Sequence, residues 1–183
     1  VMTKPLVTNK ENLSTGEQML RLAKDLYPHN RSLMGPDIRW SFKQFMEINP
    51  EFIPIKFRTG EKVFDWEIPE EWIIRKAYIE HESGKRFADF SKNNLHLMGY
   101  SIAVNQVISK KDLLKRIHTL PDYPSAIPYI TSYYKKDWSF CLSNKELKSL
   151  PEGNYKVVID SEHKDGDLWV IEAVIPGKSN KEI

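Results

Sequence analysis

The stretch from Ile127 to Ser143 crowds aromatic and β-branched side chains around a short polar break, and it limits the fold more than any other part of the sequence. Its two halves have the alternation of β-strands, and Lys135-Lys136-Asp137 suits a turn, so the stretch predicts a β-hairpin. So many rings in so few residues must be buried together or exposed for use. A buried β core is the usual outcome. The alternative is a partly open aromatic wall that presents Tyr133, Tyr134 and Trp138 to a ligand.

The chain changes character along its length. Capping-box spacing from Ser14 to Glu17 precedes helical periodicity and predicts a first helix over residues 15–27. A second helix, capped by Asp37, is expected to end at Pro50. Short strands and turns then dominate from Val63 to Leu120. Helices followed by strands predict an α+β fold class.

Further strands and short helices are expected in the carboxyl-terminal half. Residues 155–159 form a continuous apolar run that is typical of a buried strand. Residues 164–167 (Lys-Asp-Gly-Asp) predict a hairpin turn into a return strand over residues 168–175. Ser109 and Ser143 each precede the spacing of a capped short helix.

Composition excludes several classes of function. The chain has 27 basic and 25 acidic residues, a formal charge of +2, and basic runs no longer than doublets, so it shows no nucleic-acid or membrane footprint. No apolar run is long enough to span a bilayer. The single cysteine, Cys141, excludes an internal disulfide and favours a reducing, cytoplasmic location. Its apolar neighbours predict a buried thiol rather than a nucleophile.

The residues show no catalytic constellation. The chain has five histidines: His29, His81, His96, His118 and His163. They lack metal-ligand spacing, and each is expected to lie at the surface or to be hydrogen-bonded. Glu70 and Glu71 predict a solvated corner. Asp160 and Glu162 place two carboxylates on one face of a strand end, which an acid/base pair and many ordinary strands share. No Gly-rich phosphate loop or nucleophile elbow is present.

Six segments spread along the chain form a combination that is specific, although no single segment is. They are residues 26–32, Asp65-Trp66-Glu67-Ile68-Pro69, residues 90–96, Gly99-Tyr100-Ser101, His118-Thr119-Leu120-Pro121, and the final segment from Trp169 to Ile183. Together with the tyrosine-rich stretch they resemble a bacterial aminopeptidase-like branch of the zinc-exopeptidase superfamily. That branch is often found with polysaccharide-biosynthesis genes and carries an inserted domain. The resemblance covers the chain from about Ser14 to Ile183.

The resemblance implies a parent protein that is longer than this chain. Residues 1–62 and 153–183 would be two pieces of an α/β aminopeptidase-like domain with a partial mixed sheet, and residues 63–152 would be a β-rich inserted domain. The zinc ligands of the family would lie beyond Ile183. No metal-ligating or catalytic residue is therefore carried over to this chain, which is expected to be inactive as a peptidase by itself. The intact parent would use zinc to hydrolyse a peptide or another amide-containing small substrate.

Two hypotheses of different classes follow. In the first, the chain is the amino-terminal portion of a zinc-dependent aminopeptidase-like hydrolase whose insert shapes substrate access, with Tyr133, Tyr134 and Trp138 facing the substrate. In the second, it is a non-catalytic module that binds a ligand or a protein on a degenerate peptidase scaffold. Exposed strand edges leave homo-oligomerisation open.

Overall fold

The computed structural model describes residues 13–178, which form two compact units. The first contains the described residues up to Ile68 and from Gly166 onward, and the second runs from Pro69 to Asp165. The elements in chain order are α1 (Thr15–Leu26), α2 (Pro36–Ile48), β1 (Ile53–Arg58), β2 (Lys62–Val63), β3 (Trp66–Glu67), β4 (Glu71–His81), β5 (Arg86–Phe87), a 3-10 turn (Asn94–His96), β6 (Val104–Ser109), α3 (Lys110–Leu114), β7 (Ile117–His118), β8 (Phe140–Cys141), α4 (Asn144–Lys148), β9 (Asn154–Lys164) and β10 (Asp167–Glu172). This mixture confirms the predicted α+β class. None of the helices in residues 13–178 is both long and apolar enough to cross a bilayer.

The two long helices of the first unit begin in different ways. The capping box at α1 is confirmed: Ser14 donates its backbone N–H to Glu17 at 2.8 Å, and its hydroxyl accepts the Glu17 N–H. The prediction that Asp37 caps α2 is wrong, because α2 begins at Pro36 after Gly35. Asp37 instead accepts a hydrogen bond of 2.8 Å from the backbone N–H of Asn30.

The strands of the first unit pair in two small sheets. Strand β1 pairs antiparallel with β10, and β2 pairs antiparallel with β3. Their apolar side chains surround a core of Met34, Ile68 and Leu168, against which Leu33, Phe57, Val63 and Trp66 pack. This core joins residues from both ends of the described chain.

The second unit is built on a four-stranded antiparallel sheet in the order β5-β4-β9-β6. The apolar run of β9 lies between β4 and β6, and Tyr155, Val157 and Ile159 are buried there. The prediction of a buried strand over residues 155–159 is therefore confirmed. A β-bulge interrupts the register of β4 at Arg75.

The predicted hairpin over residues 127–143 is wrong. Only Phe140 and Cys141 form a strand in this stretch, and that strand, β8, pairs in parallel with β7. The proposed turn does not bring two strands together, because Asp137 pairs with Arg116 at 2.5 Å instead. Trp138 and Phe140 are buried in the second unit, whereas Tyr134 points to solvent.

The limits of the compact units differ from the predicted boundaries at residues 63 and 152. Strand β9 pairs with β4 along almost its whole length and with β6, so it belongs to the second unit. The hairpin predicted at residues 164–167 is wrong, because β10 pairs with β1 and lies in a different sheet from β9. The assignment of the outer segments to an aminopeptidase-like domain stays a prediction.

Candidate functional site

A buried tyrosine in an unusual backbone conformation marks the most distinctive site of the second unit. Tyr100 has a φ of 67°, a left-handed conformation that a bulky side chain rarely adopts, and only 2% of it is exposed. The neighbouring carbonyl of Ser101 accepts hydrogen bonds from the Trp72 indole N–H at 2.9 Å and from the Ser161 hydroxyl at 2.7 Å. These contacts hold Tyr100 in place from two strands of the sheet. Such strained residues concentrate at functional sites.

The Tyr100 ring lies at the centre of an aromatic cluster. It stacks on Trp72 at a centroid distance of 5.8 Å, meets Tyr133 at 4.8 Å with perpendicular planes, and meets His163 at 5.9 Å. Trp72 on β4 and His163 on β9 are directly opposite in the strand register, which places both on the same face of the sheet. We call Trp72, Tyr100, Tyr133 and His163 the Tyr100 site.

An ion pair and a neutral histidine give this site its electrostatic character. Glu70 pairs with Lys136, and the hydrogen bond from Lys136 lowers the pKa of Glu70. Burial and the nearby Lys136 charge lower the pKa of His163, although Glu70 and a hydrogen bond to the Tyr100 backbone oppose that shift. His163 is therefore neutral at pH 7, and a neutral imidazole offers both a donor and an acceptor.

The three aromatic residues predicted to face a substrate do not share one environment. Tyr133 belongs to the Tyr100 site. Tyr134 is mostly exposed and lies next to it in sequence. Trp138 is buried against Phe140, and the Arg116 guanidinium lies 4.9 Å from its ring centroid. The structure therefore brings Tyr133 to the candidate site, but substrate contact by these three residues stays a prediction.

The acidic pairs prove to be structural. Glu71 is buried, so the predicted solvated corner is wrong for this residue, and only its neighbour Glu70 is partly exposed. Asp160 and Glu162 do lie on one face, where the Arg75 guanidinium at the β-bulge binds both carboxylates, Asp160 at 3.2 Å. Their pairing with arginine favours two ionised carboxylates over an acid/base pair.

The cysteine and two of the other histidines serve the core. Burial raises the pKa of Cys141 to about 12, so the thiol stays protonated, as expected for a buried side chain. Nδ1 of His96 bonds to the Cys141 carbonyl at 2.9 Å. Nε2 of His81 bonds to the Glu152 carbonyl at 2.9 Å. Both histidines are hydrogen-bonded, as predicted.

The described residues do not fit a zinc site. Within residues 13–178, no three histidine, cysteine, aspartate or glutamate side chains converge as metal ligands would. The Tyr100 site offers one histidine and a glutamate that is already paired with lysine. Its chemistry is that of a binding or orienting surface, with rings for apolar contact and few polar groups for direction.

Sequence analysis missed most of the Tyr100 site. His163 was treated as one of five scattered histidines, and Glu70 as part of a corner. One signal was available, since Gly99-Tyr100-Ser101 stands among the motifs that carry the family resemblance. The left-handed conformation of Tyr100 and the register that sets His163 opposite Trp72 are tertiary features with no local sequence pattern.

Comparisons with known proteins agree with the aminopeptidase-like resemblance. The chain is 38% identical over 172 residues to a protein of Clostridium acetobutylicum described as "Putative polysaccharide biosynthesis protein with aminopeptidase-like domain", covering 92% of this chain and 39% of that protein. It also matches the crystal structure of a "putative peptidase" from Clostridium acetobutylicum with a TM-score of 0.80 and 37% identity, covering 85% of this chain and 36% of the other. The chain thus spans well under half the length of these relatives.

The match to a protein family falls on the second unit. Residues 71–162 fit the profile of the family described as "Domain of unknown function (DUF2172)". This range begins with β4 and ends within β9, so it includes the four-stranded sheet and nearly the whole Tyr100 site. The chain belongs to the DUF2172 family.

Proposed function

We propose that the chain is the amino-terminal portion of a longer, zinc-dependent aminopeptidase-like hydrolase of the zinc-exopeptidase superfamily. The observation that carries this proposal is the 38% identity over 92% of the chain to a relative with an aminopeptidase-like domain. A peptidase crystal structure of similar fold supports it. The zinc ligands would be supplied by a part of the protein beyond Ile183. Zinc in such a hydrolase acts as a Lewis acid and activates water for attack on an amide carbonyl.

In this proposal the second unit shapes the access of a peptide or another amide-containing small substrate. Tyr133 and the neutral His163 would orient the substrate through a ring contact and hydrogen bonds, and the exposed Tyr134 would add a further contact. The Glu70–Lys136 ion pair holds the segment that carries both tyrosines. We place the protein in the cytoplasm on the strength of its single, buried cysteine.

The test uses the full-length natural polypeptide. Zinc content is measured by elemental mass spectrometry, and hydrolysis is followed with a panel of aminoacyl-coumarin amides. We expect stoichiometric zinc, hydrolysis that a chelator abolishes, and a higher KM without loss of kcat in Tyr133→Ala and Tyr134→Ala. Tyr27→Ala, which removes an exposed tyrosine of the first unit, is the matched control and should leave KM unchanged.

Two results would contradict the proposal. A full-length protein without zinc or amide hydrolysis would remove the enzymatic assignment. An unchanged KM in both variants, with normal hydrolysis by the parent protein, would remove the role of the second unit in substrate access.

A further inference from the structure

Residues 119–139 form a long connection in the second unit, which we call the tyrosine loop. It leaves β7 and returns to β8, and because these strands pair side by side, with Ile117 opposite Phe140, its two ends are adjacent. It contains no helix or strand, only a single bridge between Gly99 and Thr131. Loops of this length without regular structure are uncommon in compact domains and are usually functional or disordered.

The tyrosine loop is held in one conformation by backbone hydrogen bonds. The Gly99 N–H donates to the Ile130 carbonyl at 2.9 Å, and the Ser132 N–H donates to the Gly99 carbonyl at 3.0 Å. Further bonds of the same kind join Ile102 to Asp137 at 3.0 Å, Lys145 to Pro124 at 3.1 Å, and Met98 to Ser139 at 3.1 Å. A loop ordered in this way loses little conformational entropy when it binds a ligand, so it favours binding over disorder as its function.

This ordered loop displays tyrosines to solvent. Tyr123 is 68% exposed, Tyr129 is 66% exposed and Tyr134 is 85% exposed. Rings that remain so exposed contribute little to folding. Tyrosine is a preferred residue on binding surfaces because it offers a large, rigid ring and one hydroxyl group at a low entropic cost.

The charges of the loop are balanced within the second unit. Lys135 and Arg116 both pair with Asp137, at 3.0 Å and 2.5 Å, and Lys136 pairs with Glu70. The hydrogen bond from Lys135, a backbone N–H and Arg116 lower the pKa of Asp137 to about 2, so this carboxylate stays ionised and paired. A surface with paired charges has little long-range attraction for nucleic acids or charged peptides. It suits a ligand that is itself uncharged.

We propose that the tyrosine loop binds a neutral oligosaccharide, with pyranose rings stacked on Tyr129 and Tyr134. A pyranose ring presents a face of C–H groups and a rim of hydroxyls, which match the ring face and the phenolic hydroxyl of tyrosine. Peptide recognition by strand addition needs an open strand edge, and the loop contains no strand of its own. This inference goes beyond the proposed amide hydrolysis and holds whether or not the longer protein is an enzyme.

The test titrates three neutral hexasaccharides, cellohexaose, maltohexaose and chitohexaose, into the full 183-residue chain labelled with ¹⁵N. We expect at least one sugar to shift amide resonances of residues 119–139 in a saturable way. Tyr129→Ala and Tyr134→Ala should each weaken binding about three- to tenfold, the range expected for loss of one aromatic contact. Tyr134→Phe, which keeps the ring, should lose less. Tyr27→Ala, which removes a 76% exposed tyrosine outside the loop, is the matched control.

Three outcomes would overturn the inference. The first is the absence of saturable shifts with all three sugars at millimolar concentration. The second is a sugar affinity that both loop variants leave unchanged, which would place any binding elsewhere. The third is tighter binding of an uncharged peptide, acetylated and amidated at its ends, at the same resonances, which would identify the loop as a protein-recognition surface.

Discussion

Removing both donors to the Ser101 carbonyl is expected to destabilise the protein by more than the sum of the single changes. The Trp72 indole N–H and the Ser161 hydroxyl donate to this one acceptor at 2.9 Å and 2.7 Å, and Ser101 is fully buried. Trp72→Phe or Ser161→Ala alone leaves one donor in place, so each loses a hydrogen bond worth about 1 kcal/mol, and Trp72→Phe also loses ring volume. The double variant removes both donors from a buried carbonyl, which adds a coupling of about 1–2 kcal/mol.

The assay is urea unfolding followed by far-ultraviolet circular dichroism for the wild type, both single variants and the double variant. The lost ring volume of Trp72→Phe occurs in the single and the double variant, so it cancels from the coupling energy. Ser91→Ala serves as the control in place of Ser161→Ala, because the Ser91 hydroxyl bonds to Asp89 and shares no acceptor with Trp72. A coupling below about 0.5 kcal/mol would refute the argument that the shared carbonyl fixes the Tyr100 conformation.

Three further predictions concern single groups. Because burial and Lys136 lower the folded-state pKa of His163 from 6.5, the unfolded chain binds more protons below that pH, so stability should fall as the pH drops through that range. His163→Gln should reduce this slope in urea unfolding while His118→Gln, at an exposed histidine, should not; equal slopes would contradict the assignment. Native Cys141 should resist iodoacetamide at about pH 8.5 and react after unfolding, whereas rapid native labelling would show an accessible thiol. Phe64→Asn should raise the free energy of unfolding by up to about 1 kcal/mol, because Phe64 is fully exposed with a φ of 55°, and a lower value would show that the ring stabilises the fold.

Local signals in the sequence predicted local structure well. The capping boxes at Ser14 and Ser143 are both present, because a serine and a glutamate three residues apart need only one turn of backbone to meet. The buried strand at residues 155–159 could also be predicted, since a continuous apolar run stabilises a strand only when both of its neighbours are strands. These features depend on residues close together in the chain or on burial alone.

Pairing partners could not be read in the same way. The Lys-Asp-Gly-Asp signal at residues 164–167 does mark a turn, but β10 finds β1, over one hundred residues away, instead of β9. The tyrosine-rich stretch has strand composition, yet its rings divide between the core and solvent because backbone bonds to residues 98–102 take the place of a hairpin ladder. Composition predicts what a residue can do, whereas the partner is decided by the rest of the fold.

The short segment of residues 98–102 connects the Tyr100 site to the tyrosine loop. Its Ser101 carbonyl is fixed by Trp72 and Ser161, while its other backbone groups bond to the loop at Ile130, Ser132, Asp137 and Ser139. Loosening one end of a short, fully bonded segment must weaken the other, since the same few dihedral angles satisfy both sets of bonds. The Trp72→Phe and Ser161→Ala double variant should therefore also weaken oligosaccharide binding, although neither residue belongs to the loop. Unchanged sugar affinity in that variant would show that the loop is ordered independently of Tyr100.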